Sequence, residues 1–181
     1  MRRVLAWAAG AGLVAAAWGV AAITPAPDAE EEPFVVAAAV GERAVGRNIA
    51  ITVTDVTRAS DVRAGEWRAE GNWVVVDLDA EAVVSEKGCL LALATLEVDG
   101  RTYRASERPE SFLGESLSVG VPQSGSVAFE LADDVTGGDA TLRFGETTDP
   151  RLDSLIAVNV DLGTVEPAAD VELDPTVWSA R

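Results

Sequence analysis

Alternation of apolar and polar side chains constrains the fold of this chain more than any other feature. Between residues 73 and 82, every second side chain is apolar, and the intervening set becomes acidic from Asp77 onward. A period of two places these sets on opposite faces of a β-strand, so one face is predicted to be buried and the other to meet solvent. The same period recurs in Ile49–Val53 and Ile156–Leu162. The buried set is predicted to be Val74, Val76, Leu78, Ala80 and Ala82.

Turn signals separate these apolar runs. Asp99-Gly100 lies between Val98 and Arg101, and such a pair suits the positive φ angles of a two-residue hairpin turn. No convincing amphipathic helix follows residue 24. Seven or eight short strands with turns between them predict an all-β fold, an antiparallel Ig-like β-sandwich.

The N-terminus predicts where the protein resides. Arg2 and Arg3 precede 20 uncharged residues, Val4–Ile23, and about 20 apolar residues suffice for a transmembrane helix. The positive-inside rule then predicts a single-pass signal anchor in the cytoplasmic membrane, with a cytoplasmic N-terminus and an extracellular C-terminus. The alternative is a signal peptide cleaved near Val20-Ala21-Ala22, which would give a secreted protein. Both interpretations export the body of the chain.

The predicted organisation has five segments. A cytoplasmic n-region (1–3) and the apolar segment (4–23) come first. A linker over 24–33 follows, with three prolines and four acidic residues that favour an extended, unpacked chain. The β-sandwich is predicted over 34–163. The polar tail, 164–181, carries Trp178, which either docks into a partner or folds back on its own domain.

Composition excludes several classes of function. Without Arg2 and Arg3, the chain keeps 12 basic and 30 acidic residues, a net charge of −18. That charge disfavours nucleic acid and anionic lipid headgroups. Histidine is absent, so a Ser-His-Asp arrangement cannot be built around Ser124-Gly125-Ser126. The single cysteine, Cys89, lies in an apolar run and is predicted to be buried and inert. We therefore predict neither an enzyme nor a cofactor.

Aromatic and acidic residues supply the candidate binding surfaces. Exposed aromatic side chains often mark recognition surfaces, although in a sandwich they also fill the core. Carboxylates in a strand row or in one loop could bind Ca²⁺, but a row is a poor cage and the loop spacing matches no known calcium loop. No metal site is therefore predicted. The aromatic candidates are Trp67, Trp73, Tyr103 and Trp178, and Phe112 is also considered. The acidic groups are Asp77, Asp79 and Glu81 on a strand and Asp133, Asp134 and Asp139 in a loop.

The strand motifs resemble a known family. The matching segments are Ile49–Val56, Asn72–Leu78, Glu97–Tyr103, Leu117–Gly120 and Ser126–Leu131. They are similar to the extracellular telokin-like, Ig-like domains of unknown function found in Gram-positive lipoproteins and membrane-anchored proteins. The resemblance implies a fold and an extracellular setting, and it implies no catalytic residues.

These observations together predict a function by contact. We expect a non-catalytic, membrane-tethered, extracytoplasmic β-sandwich that binds another protein as an accessory of a membrane or cell-envelope assembly. Tethering would raise its effective concentration near such neighbours. The alternative is an extracellular ligand-binding module for cell-wall glycan or calcium.

Overall fold

The computed structural model describes residues 2–23 and 31–179, which fall into two compact units, Met1–Glu32 and Pro33–Arg181. The first unit contains helix α1, Arg2–Ile23. Most of the predicted linker, residues 24–30, lies outside the described residues.

Within the described ranges, no helix is both long and apolar enough to cross a membrane. The transmembrane helix predicted over Val4–Ile23 is therefore not supported. Six of these 20 residues are Val, Leu or Ile, and twelve are Ala or Gly. The large aliphatic side chains are the ones that favour insertion most strongly.

The second unit is all β. Its described residues form two sheets, of five and seven strands. The strands are β1 (Phe34–Ala38), β2 (Arg43–Val45), β3 (Ile49–Ala64), β4 (Trp67–Ala82), β5 (Leu93–Val98), β6 (Arg101–Arg104), β7 (Gln123–Leu131), β8 (Asp139–Gly145), β9 (Ser154–Asp161), β10 (Pro167–Ala168), β11 (Val171–Glu172) and β12 (Val177–Trp178).

The prediction of an antiparallel sandwich is met only in part, because some of the described strand pairs are parallel. The five-stranded sheet has the order β1-β9-β8-β5-β6, and the seven-stranded sheet has the path β10-β3-β4-β7-β12, with β2 and β11 also on β3. Most neighbours are antiparallel, but β1 is parallel to β9, and β10 and β11 are parallel to β3. These pairs join segments distant in the chain, so no hairpin turn imposes their direction. The four shortest strands, of two or three residues each, are β2, β10, β11 and β12.

The main core lies between the two sheets. It takes the inward set of β4, as the alternation predicts, and the matching faces of β5, β7, β8 and β9. Fully buried side chains of both sheets therefore meet in one apolar layer, which makes the unit a β-sandwich. The large, fully buried side chains of this core include Phe112 from a loop and, from the strands, Phe129, Phe144, Leu96, Leu142 and Ile156.

A second, smaller apolar cluster covers part of the outer face of the seven-stranded sheet. Trp73 and Val75, on the face predicted to meet solvent, are buried there with Ala128 and Leu173. The C-terminal segment 167–179, which we call the strap, contributes Leu173 to this cluster, and Val171 packs against it. The strap pairs with the edge of β3 through β10 and β11, and then reaches β7, where Ser126 N donates to Asp174 O. The alternative in which the tail folds back on its own domain is thus the one observed.

Candidate functional site

The structure separates the predicted site residues into three places. Trp73 is fully buried in the second apolar cluster, and the half-buried Trp67 packs against it. Tyr103 lies on β6 in the other sheet, half-buried against the main core. Trp178 lies on the edge strand β12 with 65% of its surface exposed, and Phe112 is a core residue. The aromatic residues therefore form no common groove, and only Trp67 and Trp73 are brought together.

Trp67 and Trp73 form an aromatic cluster with two charged residues. Their rings meet edge to face, with centroids 5.9 Å apart and an interplanar angle of 89°. The Arg108 guanidinium carbon lies 5.8 Å from the Trp67 centroid and 5.3 Å from the Trp73 centroid. Arg108 also donates to the carboxylate of Glu130, the cross-strand neighbour of Trp73. Arg108 and Glu130 escape sequence analysis because only the pairing of distant segments brings them to the indoles.

A second feature is an apolar surface at the end of the seven-stranded sheet away from the β3–β4 turn. We call Val83, Val119, Val121 and Trp178 the end patch. All four side chains are more than one-third exposed. They are brought together where Val119 bridges to Ala82 at the end of β4 and where Trp178 stands opposite Gln123 at the start of β7.

A polar cleft of about 220 Å³ adjoins this surface. Ser179, next to Trp178, and Pro122, next to Val121, form part of its wall. Arg43 and Glu81 form an ion pair of 2.5 Å across it. The cleft and the end patch thus involve adjacent residues of the same segments, and their polar and apolar groups are of the kinds found at the rim and core of a protein interface. The remaining lining residues are Ala50, Thr52, Asp79 and Ala80.

Carboxylates continue along the outer face of β4. Asp77 and Asp79 accept hydrogen bonds from the hydroxyls of Ser126 and Ser124, 2.5 Å in each case. Burial raises the pKa of the Asp77 carboxyl, and Asp174 and Asp55 raise it further, while the Ser126 hydrogen bond opposes the shift.

The described residues contain no group of three or more His, Cys, Asp or Glu side chains placed to hold a metal ion. In the acidic loop, Asp134 instead accepts two hydrogen bonds from Arg101, of 2.9 and 3.1 Å. These hydrogen bonds lower the pKa of the Asp134 carboxyl. One carboxylate of the acidic loop, that of Asp134, is thus paired with Arg101 of the β5–β6 hairpin.

Cys89 is buried, and its thiol contacts Asn48 O at 3.7 Å. Burial, with the charge of Glu146 second, raises the pKa of the thiol to about 11. The reactive thiolate is therefore scarce at neutral pH. The described surfaces present an exposed indole, exposed valines and charged groups.

No family model matches the chain, and no curated protein matches it. Two solved structures are similar to it. One is a protein described as a "putative lipoprotein" from Staphylococcus aureus, with 8% identity, a TM-score of 0.49, and coverage of 74% of this chain and 97% of that one. The other is an uncharacterized β-sandwich protein from Clostridium difficile, with 14% identity, a TM-score of 0.49, and coverage of 76% and 99%. Neither likeness is strong enough to transfer a property, and the two-sheet architecture rests on this chain's own strand pairing.

Proposed function

We propose that this chain is an exported, non-catalytic β-sandwich that acts by protein–protein contact as an accessory of a membrane or cell-envelope assembly. Export is supported by the two arginines that precede the uncharged run Val4–Ile23. The relation to the extracellular telokin-like, Ig-like family belongs to this proposal and agrees with a body rich in acidic residues.

The end patch is the observation that carries the proposal. Isolated exposed apolar residues are ordinary, but several on neighbouring segments at one end of a sheet, near a polar cleft, favour an interaction surface. Trp178 is 65% exposed, although an indole of this size would gain much from burial. Tryptophan is also among the residues that most often dominate binding energy at interfaces.

The test is co-purification of the full-length protein from native envelopes, with bound proteins identified by mass spectrometry. Trp178→Ala is the test variant. Phe34→Ala is its matched control, because Phe34 is 64% exposed on β1 at the edge of the other sheet. Loss of an interface hot spot costs about 2 kcal/mol or more, which corresponds to a fall in affinity of roughly thirtyfold. Equal recovery of partners with both variants would contradict the proposal.

Retention at the membrane is a separate part of the proposal. If residues 4–23 remain attached and hold the body at the membrane, the protein resists carbonate extraction. If the segment is a cleaved signal, a shortened protein is released, and mass spectrometry of its N-terminus locates the cut. The first outcome supports a tethered accessory, and the second supports a secreted one.

A module for cell-wall glycan or calcium is the alternative, and it predicts different results. A calcium-binding protein gains thermal stability as Ca²⁺ rises, because a ligand of the folded state adds RT ln(1+[L]/Kd) to its stability. A glycan-binding protein is retained on purified cell wall, and Trp178→Ala reduces that retention. We expect neither effect.

A further inference from the structure

We propose that Trp67, Trp73 and Glu130 form a binding site for a guanidinium group, which Arg108 of the same chain occupies in this structure. This inference is independent of the end patch, which lies at the other end of the sheet. It concerns the chemistry of one site and holds whether the external guanidinium belongs to a small molecule or to an arginine side chain.

The geometry of the cluster suits a planar cation. The two indole planes are nearly perpendicular, at 89°, so they form two walls of a corner. The Arg108 guanidinium carbon lies within 6 Å of both ring centroids, at 5.8 and 5.3 Å, where the electron-rich ring attracts a cation. The Glu130 carboxylate accepts a hydrogen bond from the same guanidinium. A guanidinium can stack on an aromatic ring and donate in its own plane, which an ammonium cannot do.

Arg108 reaches this corner from a loop and not from the sheet itself. Ala105 bridges to Phe129, and Ser106 N donates to Ala128 O, so this segment begins as an added strand on the edge of β7. If this added strand continued as a regular antiparallel ladder, residue 108 would stand opposite Ser126. Phe112, four residues later, takes that position instead, because Phe112 N donates to Ser126 O. Four additional residues thus form a loop that leaves the edge. Movement of this loop away from the indoles would therefore break no β-ladder.

Two walls of the site, Trp73 and Glu130, belong to strands of the sheet and not to the loop that carries Arg108. Trp73 is fully buried, and a Cβ at Gly71 would lie 2.9 Å from its Nε1, so glycine at 71 leaves room for the indole. Glu130 belongs to β7 and stands opposite Trp73 in the β4–β7 register. The site would therefore keep its shape once vacated.

The occupant is also reachable from solvent. The side chains of Arg108 and Glu130 are 52% and 49% exposed, respectively. Ion pairs and cation–π contacts at such exposed positions are individually weak. An external guanidinium can thus compete with Arg108, whose advantage is the effective concentration provided by its own loop.

Nuclear magnetic resonance of the tryptophan indole N–H groups in the full chain tests the proposal. Trp73 Nε1 is buried without a hydrogen-bond partner among the described residues, so its signal should report sensitively on its surroundings. Methylguanidinium is added to wild type, to Arg108→Ala and to Arg104→Ala, which removes a neighbouring arginine outside the cluster. Trp178 is the internal control for non-specific effects.

The expected result is a saturable shift of the Trp67 and Trp73 signals in Arg108→Ala, with Trp178 unchanged. Wild type and Arg104→Ala should bind roughly tenfold more weakly, because Arg108 competes. Tetramethylammonium should bind more weakly than methylguanidinium, since it cannot donate to Glu130. Adding Glu130→Gln to Arg108→Ala should abolish the preference for methylguanidinium.

Two results would overturn the proposal. One is the absence of a saturable shift in an Arg108→Ala protein whose spectrum remains that of a folded domain. The other is equal affinity in wild type and Arg108→Ala, which would show that Arg108 is not the occupant. Arg108→Gln, which keeps much of the side-chain length without the charge, replaces the alanine variant if that variant unfolds.

A second titration distinguishes the two sources of the guanidinium. A short peptide, acetyl-Gly-Arg-Gly-amide, is compared with methylguanidinium on Arg108→Ala. Tighter binding of the peptide would assign the site to an arginine of another protein, and equal binding would assign it to a small guanidino compound. Both results support the site.

Discussion

Asp55 on β3 and Asp77 on β4 are cross-strand partners, so two carboxylates stand opposite each other on the outer face of the seven-stranded sheet. Burial is the largest cause of the raised pKa of Asp77, and the charges of Asp174 and Asp55 add to it. Like charges directly opposite on neighbouring strands are destabilising. This part of the sheet is therefore less stable at neutral pH than an uncharged surface would be.

Asp77→Asn is expected to stabilise the protein at pH 7, by about 0.5 kcal/mol. Because the folded protein holds the Asp77 proton more tightly than the unfolded chain does, wild-type stability falls as pH rises through the raised pKa. The advantage of the variant should thus shrink as the pH is lowered towards 4. Urea denaturation at both pH values measures this, with Asp133→Asn in an exposed loop as the matched control. A variant less stable than wild type at pH 7 would contradict the prediction.

Gly125→Ala is expected to destabilise the core by about 1–3 kcal/mol, the usual cost of overpacking. A Cβ at position 125 of β7 would lie 2.6 Å from Cδ2 of Phe112, whose ring is fully buried. Urea denaturation measures the loss. Combining Gly125→Ala with Phe112→Leu should recover part of the lost stability, because the leucine side chain is smaller than that of phenylalanine. Additive losses in the double variant would show that the two residues do not conflict.

The ion pair between Arg68 and Asp61 predicts a pH dependence of the opposite sign. Arg68 donates to both carboxylate oxygens of Asp61, and these hydrogen bonds lower the pKa of the carboxyl. A lowered pKa contributes stability above the unfolded-state value that is lost as the pH falls through the folded-state value. Arg68→Met should therefore be less stable than wild type at pH 7, and the difference should narrow below about pH 4. A difference that stays constant from pH 7 to pH 2 would argue against this.

Trp73→Ala and Trp178→Ala should differ sharply in stability. Trp73 is fully buried, and truncation of a buried tryptophan costs about 3–5 kcal/mol. Trp178 is 65% exposed, so its truncation should change stability by about 0.5 kcal/mol or less. Thermal and urea denaturation of both variants measure the contrast. Similar losses in the two proteins would show that Trp73 is less buried than the structure indicates.

Cys89 should react with thiol reagents only after unfolding. Its thiol is buried and has a pKa raised to about 11, so both access and thiolate are limited near pH 8. Labelling with iodoacetamide at pH 8 should be slow in the native protein and fast in urea. Fast labelling of the native protein would place the thiol in a more open environment.

The strands with the strongest alternation are the ones that sequence analysis predicts best. Val74, Val76 and Leu78 enter the core as expected, and Asp99-Gly100 is the turn between β5 and β6. Both signals are local, because side-chain direction along a strand and the positive φ of a tight turn depend on adjacent residues. Asp99 has φ of 52° and Gly100 of 71°, as such a turn requires.

The binding surfaces are predicted much less well, because they depend on pairing between distant segments. Trp67 and Trp73 are found from residue type alone, but their partner Arg108 comes from a loop more than 30 positions away. Trp178 belongs to a predicted polar tail, and only its pairing with β7 places it opposite Gln123 at the edge of the sheet.

Sequence by itself determined the β character of the body, its acidic charge, and the inward face of each strongly alternating strand. These properties follow from side-chain chemistry and from a repeat of two residues. Tertiary structure alone decided that the strap crosses the outer face of the sheet and adds Leu173 to the cluster of Trp73, and that β1 runs parallel to β9. Such pairings join residues far apart in the chain, and their free energy depends on surfaces that exist only after the sheets have formed.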